Sequence, residues 1–322
     1  MKNYYLFCLI FILGNICFPN DLELLRTIEK AAIAHGKMIK TIQMDVTITN
    51  KNVRFSQPTK SRYIILYRKK DNHFRGDYKR QAWNPDNGNV ETHEGVQEQI
   101  DNNIFDYHTT HKCASIDNTT LDGFAGITLE GIMGQGEFAW GDGLYDDVVK
   151  GRYQLKSVKT IEYEGQSSEE VIFKNPDKPG FNETLRCVFV PAWQYSIPIL
   201  EVETLEPNLQ MSQKSKVSFK KNAETGIWFP SKSETTMYEN NNVKWTETII
   251  YENVCLNRPI PDDEIVFKIP AGANITNNIN QSFYQLKESG TFEDILSGKI
   301  KSLQEEQQPK ISVEQFLKTF WH

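Results

Sequence analysis

Residues 61–78 read SRYIILYRKKDNHFRGDY, and this stretch restricts the folds open to the chain more than any other. Tyr63, Ile64, Ile65, Leu66 and Tyr67 form an unbroken apolar run, followed by the cations Arg68, Lys69 and Lys70 and a polar turn at Asp71, Asn72 and His73. Phe74, Arg75 and Tyr78 then open a second element. The pattern predicts strand, turn and strand. A strand with one wet face alternates apolar and polar residues, because successive side chains point to opposite sides. This one is apolar on both sides. It is either buried in the middle of a domain or has one face turned to a cavity made for something apolar.

The surrounding pattern is mainly β. Leu22, Leu25, Ile28, Ala32, Gly36 and Ile39 recur at helical spacing and predict one amphipathic helix over residues 21–40, with Asp21 as its N-cap. Ile42, Met44, Val46 and Ile48 then alternate with Gln43, Asp45, Thr47 and Thr49, as in a half-buried strand. Pro58 separates that strand from the two-faced one. Pro85, Asn87 and Gly88 mark a turn, and residues 100–115 hold weakly alternating strands. From Tyr153 onward, short strands bounded by Asn, Asp, Gly or Pro follow one another as an antiparallel meander. Within it, Asn240 and Asn241 signal a hairpin. Val243, Trp245, Ile249 and Tyr251 share one face of the second hairpin strand; Lys244, Thr246 and Thr248 share the other. No parallel βαβ pattern is visible, so a barrel, half-barrel or sandwich is expected. Residues 123–143 break the meander with seven glycines and the apolar residues Phe124, Ile127, Leu129, Ile132, Met133, Phe138 and Trp140. We read them as a flap or lid.

The termini stand apart from this sheet. Lys2 and the apolar run after it predict a secretory signal over residues 1–19, too short for a membrane span. Cys17 lacks the small residues of a lipid-anchoring motif, since Gly14, Asn15 and Ile16 precede it. The expected location is therefore periplasmic or secreted. The domain is expected over residues 20–280, with residues 281–322 as a polar, helix-prone tail. Cys113, Cys187 and Cys255 are an odd number and are read as buried thiols in strands. A net charge of −6 argues against nucleic acid as a partner. Asn118, Asn182, Asn274 and Asn280 begin glycosylation acceptor sequences, which matter only in a eukaryotic secretory pathway.

Local motifs for catalysis are absent: there is no nucleophile elbow, phosphate-cradling glycine loop or HExxH. His108, His111 and Cys113 are metal-ligand types, but on a strand the two histidines face opposite sides, and no metal or other cofactor is expected. Asp142, Asp146 and Asp147 lack the closing Glu of a calcium loop and read as a solvated loop that starts a helix. A secreted hydrolase using these carboxylates with His108 is the alternative reading, and an envelope-interaction protein with a self-filled cavity is another. The cation run Arg68, Lys69, Lys70 fits a polar gate at the mouth of an apolar cavity, with Tyr63, Ile65 and Tyr67 on its wall.

The order of these parts resembles the LolA/LolB-like lipoprotein-carrier superfamily and its divergent exported relatives. The resemblance lies in the helix, the strand TIQMDVTI, the stretch SRYIILYRKKDNHFRGDY and the closing PDDEIVFKIPAGANITN with Phe267 and Pro270-Ala271-Gly272. It implies a strongly curved antiparallel sheet, an incomplete barrel whose concave face is plugged by helices and binds acyl chains. An Arg-Pro pair followed by Phe serves cargo handling in the carriers. Here Phe74 matches, Lys70 stands at the Arg and Asp71 at the Pro. The expected function is a lipid or lipoprotein carrier or sensor, working with an envelope donor or acceptor. The expected ligand-binding residues are Tyr63, Ile65, Tyr67, Lys70, Phe74, Phe124, Ile132, Met133, Phe138 and Trp140.

Overall fold

The computed structural model describes residues 19–299, apart from 56, 85–86, 102, 119–143, 176–181 and 207–208. Helix α1 (Pro19–Met38) starts two residues before the expected cap, so Asp21 lies inside the first turn, where its charge suits the helix dipole. Leu25, Ile28, Ala32 and His35 form its buried stripe.

The first meander comprises β1 (Thr41–Asn52), β2 (Thr59–Arg68), β3 (His73–Trp83), β4 (Val90–Ile100), β5 (Asn103–His108) and β6 (Cys113–Asp117). Helix α2 (Leu144–Val149) precedes the second meander, β7 (Gln154–Tyr163), β8 (Gln166–Lys174), β9 (Asn182–Val190), β10 (Ser196–Glu206), β11 (Leu209–Lys221), β12 (Trp228–Glu239) and β13 (Asn242–Leu256). The turns follow local sequence. Lys69–Asp71 forms a 3-10 turn closed by Asn72 in the left-handed region at φ 46°. Asn240 and Asn241, at φ 49° and 62°, close the β12–β13 hairpin in the conformation that asparagine tolerates best after glycine.

The last part of the chain is α3 (Asp262–Ile265), β14 (Lys268–Ile269), β15 (Asn274–Asn277), β16 (Ser282–Gln285), β17 (Gly290–Thr291) and α4 (Phe292–Leu296). Fifteen of the described strands form one sheet in the order β16-β15-β6-β5-β4-β3-β2-β1-β13-β12-β11-β10-β9-β8-β7. Its ends, β16 and β7, do not meet, so the sheet is an open, curved one and not a closed barrel. Its neighbours are antiparallel except β15 beside β6. The remaining pair, β14 and β17, forms a small separate ribbon.

Strand β1 joins the two meanders, pairing with β2 on one edge and β13 on the other. Its inward residues Ile42, Met44 and Val46 stand opposite Tyr67, Ile65 and Tyr63 of β2, and all but the half-buried Tyr67 are closed to solvent. Each fully buried aliphatic side chain of this kind contributes about 1.5–3 kcal/mol. On the same face, α1 places Leu25 and Ile28 against Phe173, Leu185 and Phe189 of β8 and β9. We call this face the inner one.

The opposite face of β2 explains its unbroken apolar run. Leu66 packs against Ile260 and Ile265, whereas Ile64 stays 52% exposed. The C-terminal segment is thus a clasp over the outer face. Phe267, Ile269, Ile275 and Phe292 pack on Phe105, Tyr107 and Ile116. Thr291 and Asp294 form a reciprocal capping box at the start of α4. Residues 282–296 therefore build on the sheet, and the boundary expected at 280 falls within this packing.

Arg68 holds the clasp. Its side chain is buried on the outer side and donates to both oxygens of Asp71 (Nε, 3.1 and 2.9 Å), to Asp262 and to the Ile260 carbonyl (3.1 Å). Arg75 adds a bond to the Glu264 carbonyl (3.0 Å) and lies over the Phe267 ring. Arg68 is thus a structural tie and no part of a gate on the inner face: at even register from Leu66 it points away from Tyr63 and Ile65. Asp262 is largely exposed, so water screens that ion pair. Replacing Arg68 by Met should cost about 2 kcal/mol, mostly from the unmet carbonyl and Asp71 bonds. Hydrogen exchange should show residues 260–266 losing protection first; unchanged protection there would contradict the clasp.

Candidate functional site: the inner face of the sheet

Register partners share a face, so the inner surface can be followed strand by strand. One row runs Val171, Cys187, Leu200, Ser215, Thr235, Glu247, Asn50 and Thr59 from β8 to β2. It is apolar under α1 and polar in the middle. Ser215 and Thr235 share a hydrogen bond of 3.0 Å. Burial raises the Glu247 carboxyl above its ordinary value, against a bond from Asn50 that lowers it. The Oδ1 atom of Asn50 is buried without a hydrogen-bond partner.

Beside this waist lies the apolar floor. Tyr63 and Ile65 of β2 join Met44 and Val46 of β1, Phe229 of β12 and Tyr251 of β13. Its rim is half-buried and consists of Tyr67, Phe74 and Val254. The floor thus collects four of the sequence-derived binding residues, Tyr63, Ile65, Tyr67 and Phe74, in one cluster. Lys70 stands exposed on the 3-10 turn between Tyr67 and Phe74. Phe124, Ile132, Met133, Phe138 and Trp140 lie outside the described residues, as do Ile127, Leu129 and Asp142.

Further along β3 the floor becomes polar. The Tyr78 ring lies 6.4 Å from that of Tyr63, and its hydroxyl donates to Asp106 Oδ1 at 2.8 Å. His108 Nδ1 is 3.4 Å from the same hydroxyl. Burial, then the Asp106 charge, drives the Tyr78 phenol well above its ordinary value, so it stays a donor. The Arg80 guanidinium stacks 5.1 Å above the Tyr78 ring. Gly95 of β4 makes this arrangement possible: a Cβ there would lie 2.4 Å from the Tyr78 hydroxyl and 2.3 Å from the Tyr107 carbonyl oxygen. No side chain larger than hydrogen fits.

A cavity of ≈ 260 Å³ opens beside this cluster, lined by Glu91, Thr92, His93, Glu94, His108, Thr110 and His111. The expectation that His108 and His111 face opposite sides of one strand is overturned here. Strand β5 ends at His108, and the turn over residues 109–112 carries His111 round to the same cavity. Burial lowers the imidazoles of His93 and His108 and the Arg80 charge lowers both further, against Asp106, which raises His108, and Glu91, which raises His93. Cys113 is buried and its thiol is pushed up to about 11 by burial and by Asp106, which leaves it a poor thiolate. Cys187 is likewise buried, and Cys255 is half-buried. Among the described residues, no three or more His, Cys, Asp or Glu side chains are grouped so as to hold a metal ion.

The carboxylates weighed for a hydrolase lie elsewhere. Asp146 and Asp147 occupy the first turn of α2, where buried Asp147 pairs with Arg152, while Leu144 belongs to the cluster under α1. His108 belongs to the β3–β5 end. Sequence reasoning missed Arg80, His93, Asp106 and Gly95. The alternation Phe74, Gly76, Tyr78, Arg80 could have put Arg80 on the inner face, but only cross-strand register brings His93 and Asp106 to it.

No family model matches this chain, and no curated protein matches it. Solved structures do. A domain named for outer-membrane lipoprotein sorting from Vibrio parahaemolyticus is 13% identical over 76% of this chain and 96% of its own, with a TM-score of 0.44. A LolA-superfamily protein from Nitrosomonas europaea is 11% identical over 75% and 96%, with a TM-score of 0.43. LprF from Mycobacterium bovis is 10% identical over 78% and 97%, with a TM-score of 0.28. Among the described residues, no helix is long and apolar enough to cross a membrane.

The buried histidines make stability depend on pH. His35 Nε2 donates to the Trp228 carbonyl at 3.0 Å, and burial lowers its imidazole below 6.5. A group that binds its proton less readily when folded contributes stability above its unfolded pKa and loses it as pH falls below about 6.5. Glu29 and Glu247, raised by burial, act in the opposite sense. Comparing wild type with His35→Gln isolates the histidine. The variant should gain in Tm relative to wild type between pH 7.5 and 5.5; a constant difference would contradict the reading.

Proposed function

We propose that this chain is an exported binding protein that carries lipid or lipoprotein by burying an acyl chain on the inner face of its sheet. The observation that carries the proposal is the floor around Tyr63 and Ile65: an apolar cluster shared by strands of both meanders and closed to solvent, with a half-buried aromatic rim at Tyr67 and Phe74. The rim is where a chain would enter. Lys70, on the turn beside it, would meet whatever headgroup or partner arrives. Phe124, Ile132, Met133, Phe138 and Trp140 are proposed as further contacts of the chain.

The energetics suit a carrier. At about 0.8 kcal/mol per buried CH₂, a chain of roughly twelve carbons offers some ten kcal/mol before ordering costs. That is enough to hold cargo reversibly with no catalytic group. An envelope donor or acceptor would then be needed to load and unload it.

Gently purified protein should carry lipid detectable by native mass spectrometry. Phe74→Glu, at the half-buried rim, should reduce its amount severalfold with little change in Tm. If no lipid co-purifies and a neutral fluorescent apolar probe finds no site, the floor is a self-filled core and the proposal fails.

A further inference from the structure

Among the described residues, none forms an ion pair with Arg80. It lies half-buried on the inner face, and its described contact is the flat face of Tyr78. The nearest carboxylates bond to other groups: Asp106 accepts from Tyr78 and keeps its charge, Glu94 pairs with Lys79, and Glu91 accepts from Asn84 at 2.6 Å and lies 3.9 Å from His93. A guanidinium withdrawn from water without an anion is costly, and its planar fork suits a carboxylate or phosphate held by two bonds. His93 stands directly across from Arg80 in the β3–β4 register, and His108 lies beside Tyr78. Tyr78 itself joins the polar cluster to the apolar floor through Tyr63. Arg80 and Phe74 are six residues apart on one strand, or about 20 Å.

We infer that Arg80, flanked by His93 and His108, seats the anionic headgroup of the acyl lipid whose chain runs along β2 and β3 toward Phe74. This rests on the proposed function and adds the ligand class: a single anionic group, carboxylate or phosphate, at one end of an apolar chain. It also assigns the headgroup to the end of β3 remote from Lys70, so that Lys70 serves entry and Arg80 retention.

The test is displacement of a neutral naphthylamine probe from the full-length protein at pH 7.5 by decanoic acid, decyl phosphate and decanol. Wild type should yield the probe to one or both anions at a concentration at least about tenfold below that needed for decanol, the scale of a charge-assisted pair of hydrogen bonds. The better of the two anions identifies the headgroup. Arg80→Gln should remove the gap while leaving displacement by decanol unchanged, and Arg80→Lys should restore part of it. Equal displacement by all three compounds in wild type, or a gap that survives in Arg80→Gln, would overturn the headgroup assignment and leave acyl binding standing. If no compound displaces the probe, acyl binding and the headgroup assignment fall together.

Discussion

The double pairing of β1 is the constraint on which the rest of the structure depends. This strand is hydrogen-bonded to β2 along one edge and β13 along the other, and so fuses two meanders that are remote in sequence. Its strict alternation does two things at once. Ile42, Met44, Val46 and Ile48 supply the middle of the inner core, while Asp45, Thr47 and Thr49 keep the other side wet. A slip of one residue would turn that apolar row outward and break the floor. The seam thus fixes which face of every neighbouring strand is inner, out to β8 on one side and β5 on the other.

Much of this was legible in local sequence. The helix, the alternating β1, the β2–turn–β3 unit and the Asn240–Asn241 hairpin are all set by period and turn chemistry and all occur, the helix two residues earlier at each end than expected. The two-sided run Tyr63 to Tyr67 was read as a buried strand or a cavity wall, and Tyr63, Ile65 and Leu66 are buried, on opposite sides of the sheet. Tyr63 and Ile65 build the inner floor. Leu66 is covered by the clasp, a contact between residues about 200 positions apart that no local pattern can show. For the same reason Arg68 read as one of three cations at a polar gate, when its partners Ile260 and Asp262 arrive from the far end of the chain.

The polar end of the inner face was hidden differently. Tyr78, Arg80, His93, Asp106 and His108 come from three successive strands, and their meeting depends on the lengths of the turns between those strands. Gly95 gave no local signal, because its role is to make space for a ring on another strand. The expected gate at Lys70 belongs to a motif read along the sequence, whereas the cluster around Arg80 exists only across it. The inner face thus has an apolar floor, a half-buried rim at one end and, at the other, Arg80, which forms no ion pair among the described residues. Those are the three features a surface needs to hold an amphiphile in one direction.

The central claim is that this inner face, and no other surface, receives the acyl chain. A crystal structure of the protein with a terminally brominated fatty acid tests it most directly, through the anomalous signal of bromine. The account predicts a bromine peak on the inner side of β2 and β3, within contact of Tyr63, Ile65 or Phe74. A peak on the outer face near Ile64 or the clasp, or no peak at saturating fatty acid, would contradict it.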